Sequence, residues 1–407
     1  MHRSVNRTTG PGIAEPLTAG IASGVVGFAS TFAVVLAGLS AVGASPAQAA
    51  SGLAAVTVLM GLATVLLSWR YRMPITVVWS TPGAALLISV GAVAGGWPAA
   101  VGAFAVTGVL LALTGLWPQL ASLVQRIPAS LAQAMLAGIL LPLCLAPFRA
   151  LVEEPWLVAP VLIAWLVTMR LRARWAVLAA VAAGLIAVGA HRALTGAAFD
   201  AAAFVPHFEW TMPVVALQAL TGVALPLYIV TMASQNIPGA AVLQSFGYTV
   251  PWKPALVTTG FGTVVGAFFG AFALNLAAIT AALAAGADAG ADKQRRWIAG
   301  FTAGCLYIVL GLASAGLVAV TVAAPPEIMQ AVAGVALFGA LASACVEALS
   351  DPRGRIAAIV TMLVAASGVV VAGLGAAFWA LAIGLITWLV TAAGKASATR
   401  SVSKDSA

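Results

Sequence analysis

Long apolar runs separated by short polar breaks cover almost the whole of this 407-residue chain. A membrane-crossing helix needs about 20 apolar residues. On that measure fourteen segments stand out: 16–42, 46–68, 74–93, 97–117, 128–148, 156–170, 175–191, 212–233, 254–270, 271–286, 297–323, 327–349, 356–373 and 375–394. The polar loop "HRALTGAAFDAAAFVPHFEW" (His191–Trp210) divides them into seven and seven. An odd number per half makes the second half enter the membrane from the opposite side, which is the arithmetic of an inverted repeat. The expected organisation is an all-α polytopic membrane protein. It has a cytoplasmic tail (1–15), a first seven-span repeat (16–192), an external linker (193–211), a second seven-span repeat (212–394) and a second cytoplasmic tail (395–407).

The apolar pattern fails as plain helix in segments 3 and 10. In "PITVVWSTPGAALLIS" (Pro74–Ser89), Ile75–Trp79 has strand propensity. Ser80 or Thr81 can then cap a helix whose first position is Pro82, where proline is favoured. The counterpart "GAFALNLAAITAAL" (Gly270–Leu283) lacks the proline but places Asn275 and Thr280 at similar depth. Thr81 lies 65 residues after Pro16, and Thr280 lies 67 after Pro213. Non-helical backbone at that depth is tolerated only where protein buries it or a cavity meets it. The two pieces are therefore predicted to pair as short antiparallel strands, each followed by a half-helix. The half-helix N-termini would converge with free N–H groups and positive dipole ends, which suits an anion. A proline-kinked helix without a ligand is the competing reading of the first segment.

Composition fixes the class. The chain is 62% hydrophobic and 7% charged, against roughly 25% charged in soluble domains, and its mean hydropathy is +1.07. The net charge of +8 reports topology rather than a nucleic-acid partner. With both termini cytoplasmic, 17 of the 19 Lys and Arg fall on the cytoplasmic side, all but Arg149 and Arg192. Cys144, Cys305 and Cys345 sit in apolar runs and read as small buried hydrophobes rather than a disulfide framework. The N-terminal "MHRSVNRTTGPGIAEP" is too polar for a signal peptide.

Candidate chemistry is sparse. His2, His191 and His207 all lie outside the spans, and no H-E-x-x-H, paired intramembrane aspartates or nucleophile elbow is present. An enzyme, a cofactor and a metal site are accordingly not expected. Glu347 reads as an interfacial carboxylate. In the eighth span Tyr228, Thr231 and Gln235 stand at i, i+3 and i+7 and share one face of an α-helix. That face is either a cavity wall or a polar helix contact. Ser23, Ser30 and Thr31 are weaker candidates, because small polar residues commonly serve packing there, and Gly262, Gly266 and Gly270 suggest close helix packing. Trp79, at the break itself, is packing or one wall of a pocket for a flat aromatic ligand.

The stretches "GFASTFAVVLAGL", "MPITVVWSTPGAALL", "LYIVTMASQNIPGAAVL" and "FGAFALNLAAITAA" resemble the benzoate/proton symporter family, over about residues 13–393. The resemblance implies the inverted-repeat fold of uracil and xanthine permeases, with a core domain and a gate domain. Substrate would then bind between the third and tenth spans and against the eighth. In the nucleobase permeases the eighth and tenth spans supply carboxylates; here the comparable positions are Thr231 and about Thr280, with Gln235 one turn onward. Hydroxyls, amides and helix N-termini suit an anionic aromatic acid where carboxylates would repel it. The implied function is import of benzoate or a related aromatic carboxylate with protons across the bacterial inner membrane. A nucleobase or other small-anion carrier of the same fold is the alternative. Ser80, Thr81, Gly83 and the backbone of Ala278, Ile279 and Thr280 would hold the carboxylate. Thr231, Gln235 and Asn275 would complete the polar wall, and Trp79 or Tyr228 would flank the ring. The partners expected are this small molecule, protons and the lipid bilayer, with no nucleic acid; a homo-oligomer is compatible with the sequence.

Overall fold

The computed structural model describes residues 12–117, 119–120, 122, 128–195, 205–371 and 375–404. Most of the expected N-terminal tail, the centre of the linker and the last three residues lie outside these. Backbone groups in an apolar solvent must be paired internally, so helices dominate. Two helices, α1 (Ala14–Ala29) and α2 (Phe32–Ala41), form a first span interrupted at Ser30–Thr31. Next comes α3 (Pro46–Tyr71), which opens on a capping box of Ser45 and Gln48. A three-residue strand β1 (Val77–Trp79) leads into α4 (Thr81–Val90). The first half continues with α5 (Gly96–Leu116), α6 (Ala129–Glu153), α7 (Pro155–Arg172) and α8 (Ala176–Thr195).

The chain then continues from Val205 with further helices and a second strand. A long helix α9 (Leu217–Ser245) contains two π turns, at Leu220–Ala224 and Met232–Asn236. It is followed by α10 (Trp252–Ala267), strand β2 (Leu274–Leu276) and the short α11 (Ile279–Ala285). Then come α12 (Trp297–Leu312), α13 (Ser314–Val322), α14 (Pro326–Ala348), α15 (Arg355–Ala366) and α16 (Ala376–Lys404). Among the described residues, eight helices are long and apolar enough to cross a membrane, or nine if α12 and α13, bent by 52°, count as one span. Fourteen full-length spans are therefore not what is seen. The shortfall lies where the chain uses shorter pieces: α10 has 16 residues, α4, α15 and the apolar part of α16 are only 10–17 residues long, and α11 has 7.

Strands β1 and β2 pair antiparallel, with Val77 opposite Leu276, Val78 opposite Asn275 and Trp79 opposite Leu274. The ladder is extended by Ser80 N donating to Ala273 O (2.9 Å) and Ala277 N donating to Thr76 O (3.0 Å). A two-stranded ribbon leaves two unpaired edges, which are costly without water. Here neighbouring helices satisfy them. Thr64 of α3 donates its hydroxyl to Val77 O (3.0 Å) and accepts from Val77 N (2.9 Å), while Ser68 donates to Ile75 O. On the other edge Leu274 N donates to Thr263 of α10 (3.0 Å), and Leu276 N donates to Asn236 Oδ1 of α9 (2.9 Å).

Two helix crossings clamp this assembly, each at a glycine pair. A Cβ on Gly61 of α3 would come within 2.7 Å of Gly304 O on α12, and one on Gly304 within 2.8 Å of Gly61 O. Gly108 of α5 and Gly260 of α10 meet the same way, at 2.7 and 2.6 Å. Only glycine permits backbones this close, and dispersion between them replaces a hydrophobic drive that lipid cannot supply. Of Gly262, Gly266 and Gly270, expected as a close helix crossing, Gly266 faces Leu59 of α3 and Gly270 lies against Gly52 of the same helix, whereas Gly262 faces Leu274 of β2.

Candidate functional site

The site is built where β1 turns into α4. Ser80 is extended (φ −76°, ψ 93°) and its Oγ accepts the Gly83 N–H at 3.1 Å, so it is the N-cap of α4. Thr81 is the first helical residue and Pro82 the second, one place later than expected. The Thr231 hydroxyl of α9 donates to Ser80 Oγ at 3.0 Å, and both residues are fully buried. This pair carries two hydroxyl protons and uses one in its mutual contact, leaving one to donate to a ligand. Alternation along a strand places Thr76, Val78 and Ser80 on one face of the ladder, with Asn275 opposite Val78. Val77 and Trp79 take the other face.

The second half-helix begins differently. Ala278, half-buried, precedes α11 in a helical conformation and gives it no side-chain cap. Its first turn therefore keeps its N–H groups free of any side-chain acceptor, while α4 is closed by Ser80. Ile279 is 74% exposed, so the start of α11 faces open space rather than protein. Thr280 is buried; its Oγ1 donates to Thr76 Oγ1 at 3.2 Å, and its carbonyl accepts from Ser23 Oγ at 3.2 Å.

Trp79 is 1% exposed, with its indole N–H on Thr31 Oγ1 (3.0 Å) and its ring tilted against Phe28. Thr81 Oγ1 lies 3.4 Å from the same Thr31 oxygen. Thr31, at the break between α1 and α2, thus holds the Trp79 indole and lies beside the first residue of α4. Among the described residues no Asp, Glu or His is buried, and no group of three or more could hold a metal. A cavity of about 560 Å³ lies elsewhere, walled by Glu154, Trp156, His191, Pro325 and Glu327. It touches neither the ladder nor α9.

The family model for the benzoate membrane transport protein matches residues 13–390. The chain belongs to the benzoate membrane transport protein family. It is 37% identical over 374 residues to the inner membrane protein YdcO of Escherichia coli (strain K12), covering 92% of this chain and 95% of that one. It is 29% identical over 351 residues to the benzoate membrane transport protein of Acinetobacter baylyi, covering 84% and 86%. In fold it is similar to the transmembrane domain of the cyanobacterial bicarbonate transporter BicA (TM-score 0.58, 16% identity, 87% of this chain and 97% of that one). It is also similar to SLC26A9 (TM-score 0.64, 14% identity, 94% of this chain and 66% of that one). This member of the family is a polytopic membrane transporter and not an enzyme.

Within this family member the eighth-span face differs from the expectation. The π turn at Met232–Asn236 inserts one residue into the helical period. Thr231 therefore shares its ladder-facing side with Asn236, which holds Leu276 N, rather than with half-buried Gln235. Tyr228 does not join them: its hydroxyl pairs with Thr114 Oγ1 on α5. A second α5–α9 link, from Thr107 Oγ1 to Ala224 O (3.2 Å), runs alongside. Tyr228→Phe is expected to lower stability by about 1 kcal/mol, the net worth of one such bond, and to leave ligand affinity within twofold. Parallel melting and binding titrations check this.

Proposed function

We propose that this transporter imports benzoate or a related aromatic carboxylate together with protons across the bacterial inner membrane. The observation that carries the reading is the meeting of the Ser80–Thr231 hydroxyl pair with Asn275 on one ladder face, beside the uncapped start of α11, with no buried carboxylate nearby. A carboxyl group takes hydroxyl and N–H donors at such a place without meeting a like charge. The name of the A. baylyi relative, a benzoate membrane transport protein, supports the substrate class. The alternative, a nucleobase carrier, presents several ring N–H donors that call for strong acceptors, and the site offers few.

The same proposal includes a seven-plus-seven inverted repeat with both termini cytoplasmic. The two halves repeat particular contacts in support of it. Thr64 on the Val77 N–H corresponds to Thr263 on the Leu274 N–H, and the Gly61–Gly304 crossing to Gly260–Gly108. These pairs are offset by 199 (263 − 64), 197 (274 − 77), 199 (260 − 61) and 196 (304 − 108) residues. Single cysteines at Gly95 and Gln294 should then label from outside and inside respectively. Labelling of both from one face would remove the repeat.

The function is tested by uptake of labelled benzoate into proteoliposomes under an inward proton gradient. Accumulation that collapses with the gradient is expected. Accumulation of uracil or xanthine in its place would favour the nucleobase carrier.

A further inference from the structure

Symport requires a proton carrier, and none of the described Asp, Glu or His residues is buried to serve as one. Yet the ladder holds an unmatched acceptor. Asn275 is fully buried, its Nδ2 donates to Leu276 O at 2.8 Å, and its Oδ1 has no hydrogen-bond partner. The Nδ2 bond fixes which end of the amide is the acceptor. Ser234 is 8% exposed, its Oγ is likewise unpartnered, and it lies on α9 between Thr231 and Asn236, which both hydrogen-bond the ladder. A buried acceptor left unpaired is costly, so it calls for a donor.

A carboxylate anion supplies acceptors only and would face Asn275 Oδ1 with no proton between them. A protonated acid supplies one donor and one strong acceptor. We propose that the proton crosses on the substrate itself: the site takes the neutral aromatic acid, whose O–H donates to Asn275 Oδ1 while its carbonyl oxygen accepts from the Ser80–Thr231 hydroxyl pair. Ser80 and Asn275 are diagonal neighbours on one ladder face, with backbones about 7–8 Å apart in such ribbons, within the reach of side chains that address one bound group. The anion gains its proton from external water on binding and returns it to internal water on release. One negative and one positive charge cross together, and no net charge moves.

The inference rests on the aromatic-carboxylate reading above, and its test separates the two. Full-length purified protein is titrated with benzoate in weakly buffered solution containing a pH indicator. About one proton should be taken up per benzoate bound at pH 7, and apparent affinity should fall about tenfold per pH unit above the carboxyl pKa of about 4. Benzenesulfonate, the same ring with a permanently ionised head, should fail to compete at 100-fold excess. Asn275→Leu should weaken benzoate binding at least tenfold; the loss of its Nδ2 bond to Leu276 O lowers the melting temperature whatever Oδ1 does, so affinity is the quantity that decides. Asn275→Ala gives the same affinity comparison should the leucine variant not fold. Benzoate binding without proton uptake, or equal competition by benzenesulfonate, overturns the neutral-acid mode and leaves the transporter reading standing. A structural water on Asn275 Oδ1 would instead leave the affinity of Asn275→Leu unchanged, which also overturns it. Failure of benzoate to bind at all overturns the carboxylate reading, and this inference with it.

Discussion

Gly83→Leu is expected to abolish benzoate binding and to lower thermal stability in the same step. Gly83 sits in the first turn of α4, where a Cβ would lie 2.5 Å from Leu227 Cδ1 and 2.8 Å from Ser80 Oγ. The added bulk meets α9 and the cap before it meets any ligand. Overpacking of this kind costs about 1–3 kcal/mol, and loss of the Ser80 cap adds about 0.5–2 kcal/mol. Moving Ser80 also breaks its bond to Thr231, so the hydroxyl pair proposed to face the substrate is lost. Affinity should drop more than 100-fold. Gly83→Ala should show a smaller loss of both quantities, because the end of the Leu227 side chain can shift. Native melting and affinity in Gly83→Leu would mean that α4 and α9 do not pack as described.

Asn236→Leu is expected to damage the site from behind. Its Oδ1 accepts the Leu276 N–H at 2.9 Å, and the residue is fully buried. Removing the acceptor leaves a strand-edge N–H with neither water nor protein, at about 1–3 kcal/mol. The lost bond is also what ties β2 to the helix that carries Thr231. Benzoate affinity should fall at least tenfold along with the melting temperature. Gln235→Leu, one residue earlier, should cost much less on both counts. Binding isotherms and melting curves of the two variants decide the ranking, and the reverse order would return Gln235 to the wall.

What the sequence made legible and what it hid have physical causes. The break at Ser80–Pro82 was readable because β-branched residues, a capping hydroxyl and proline each limit the backbone locally. Pairing with the segment around Leu274–Leu276 followed from the need to satisfy strand edges in an apolar solvent. The choice between Gln235 and Asn236 was hidden because an α period of 3.6 puts 231 and 235 on one side, whereas the π turn puts 231 and 236 there. That turn is a tertiary compromise, with Asn236 drawn to the Leu276 N–H. Tyr228 misled for a related reason: its long side chain reaches from the shared face to Thr114. Thr31 was a weak candidate by residue type alone, and the break between α1 and α2 that brings it to the Trp79 indole is not visible in the hydropathy. Hydropathy could not separate full-length spans from the short helices that share them, because both are equally apolar.

The substrate's carboxyl group is proposed to lie on the ladder face beside α9, and an anomalous-diffraction structure of the protein with 4-iodobenzoate locates it. One iodine peak is expected in the space over Ile279, with the carboxyl group within hydrogen-bond reach of Ser80, Thr231 and Asn275. An iodobenzoate seated only in the cavity between Glu154, Trp156, His191 and Glu327, with the ladder face dry of ligand, would contradict it.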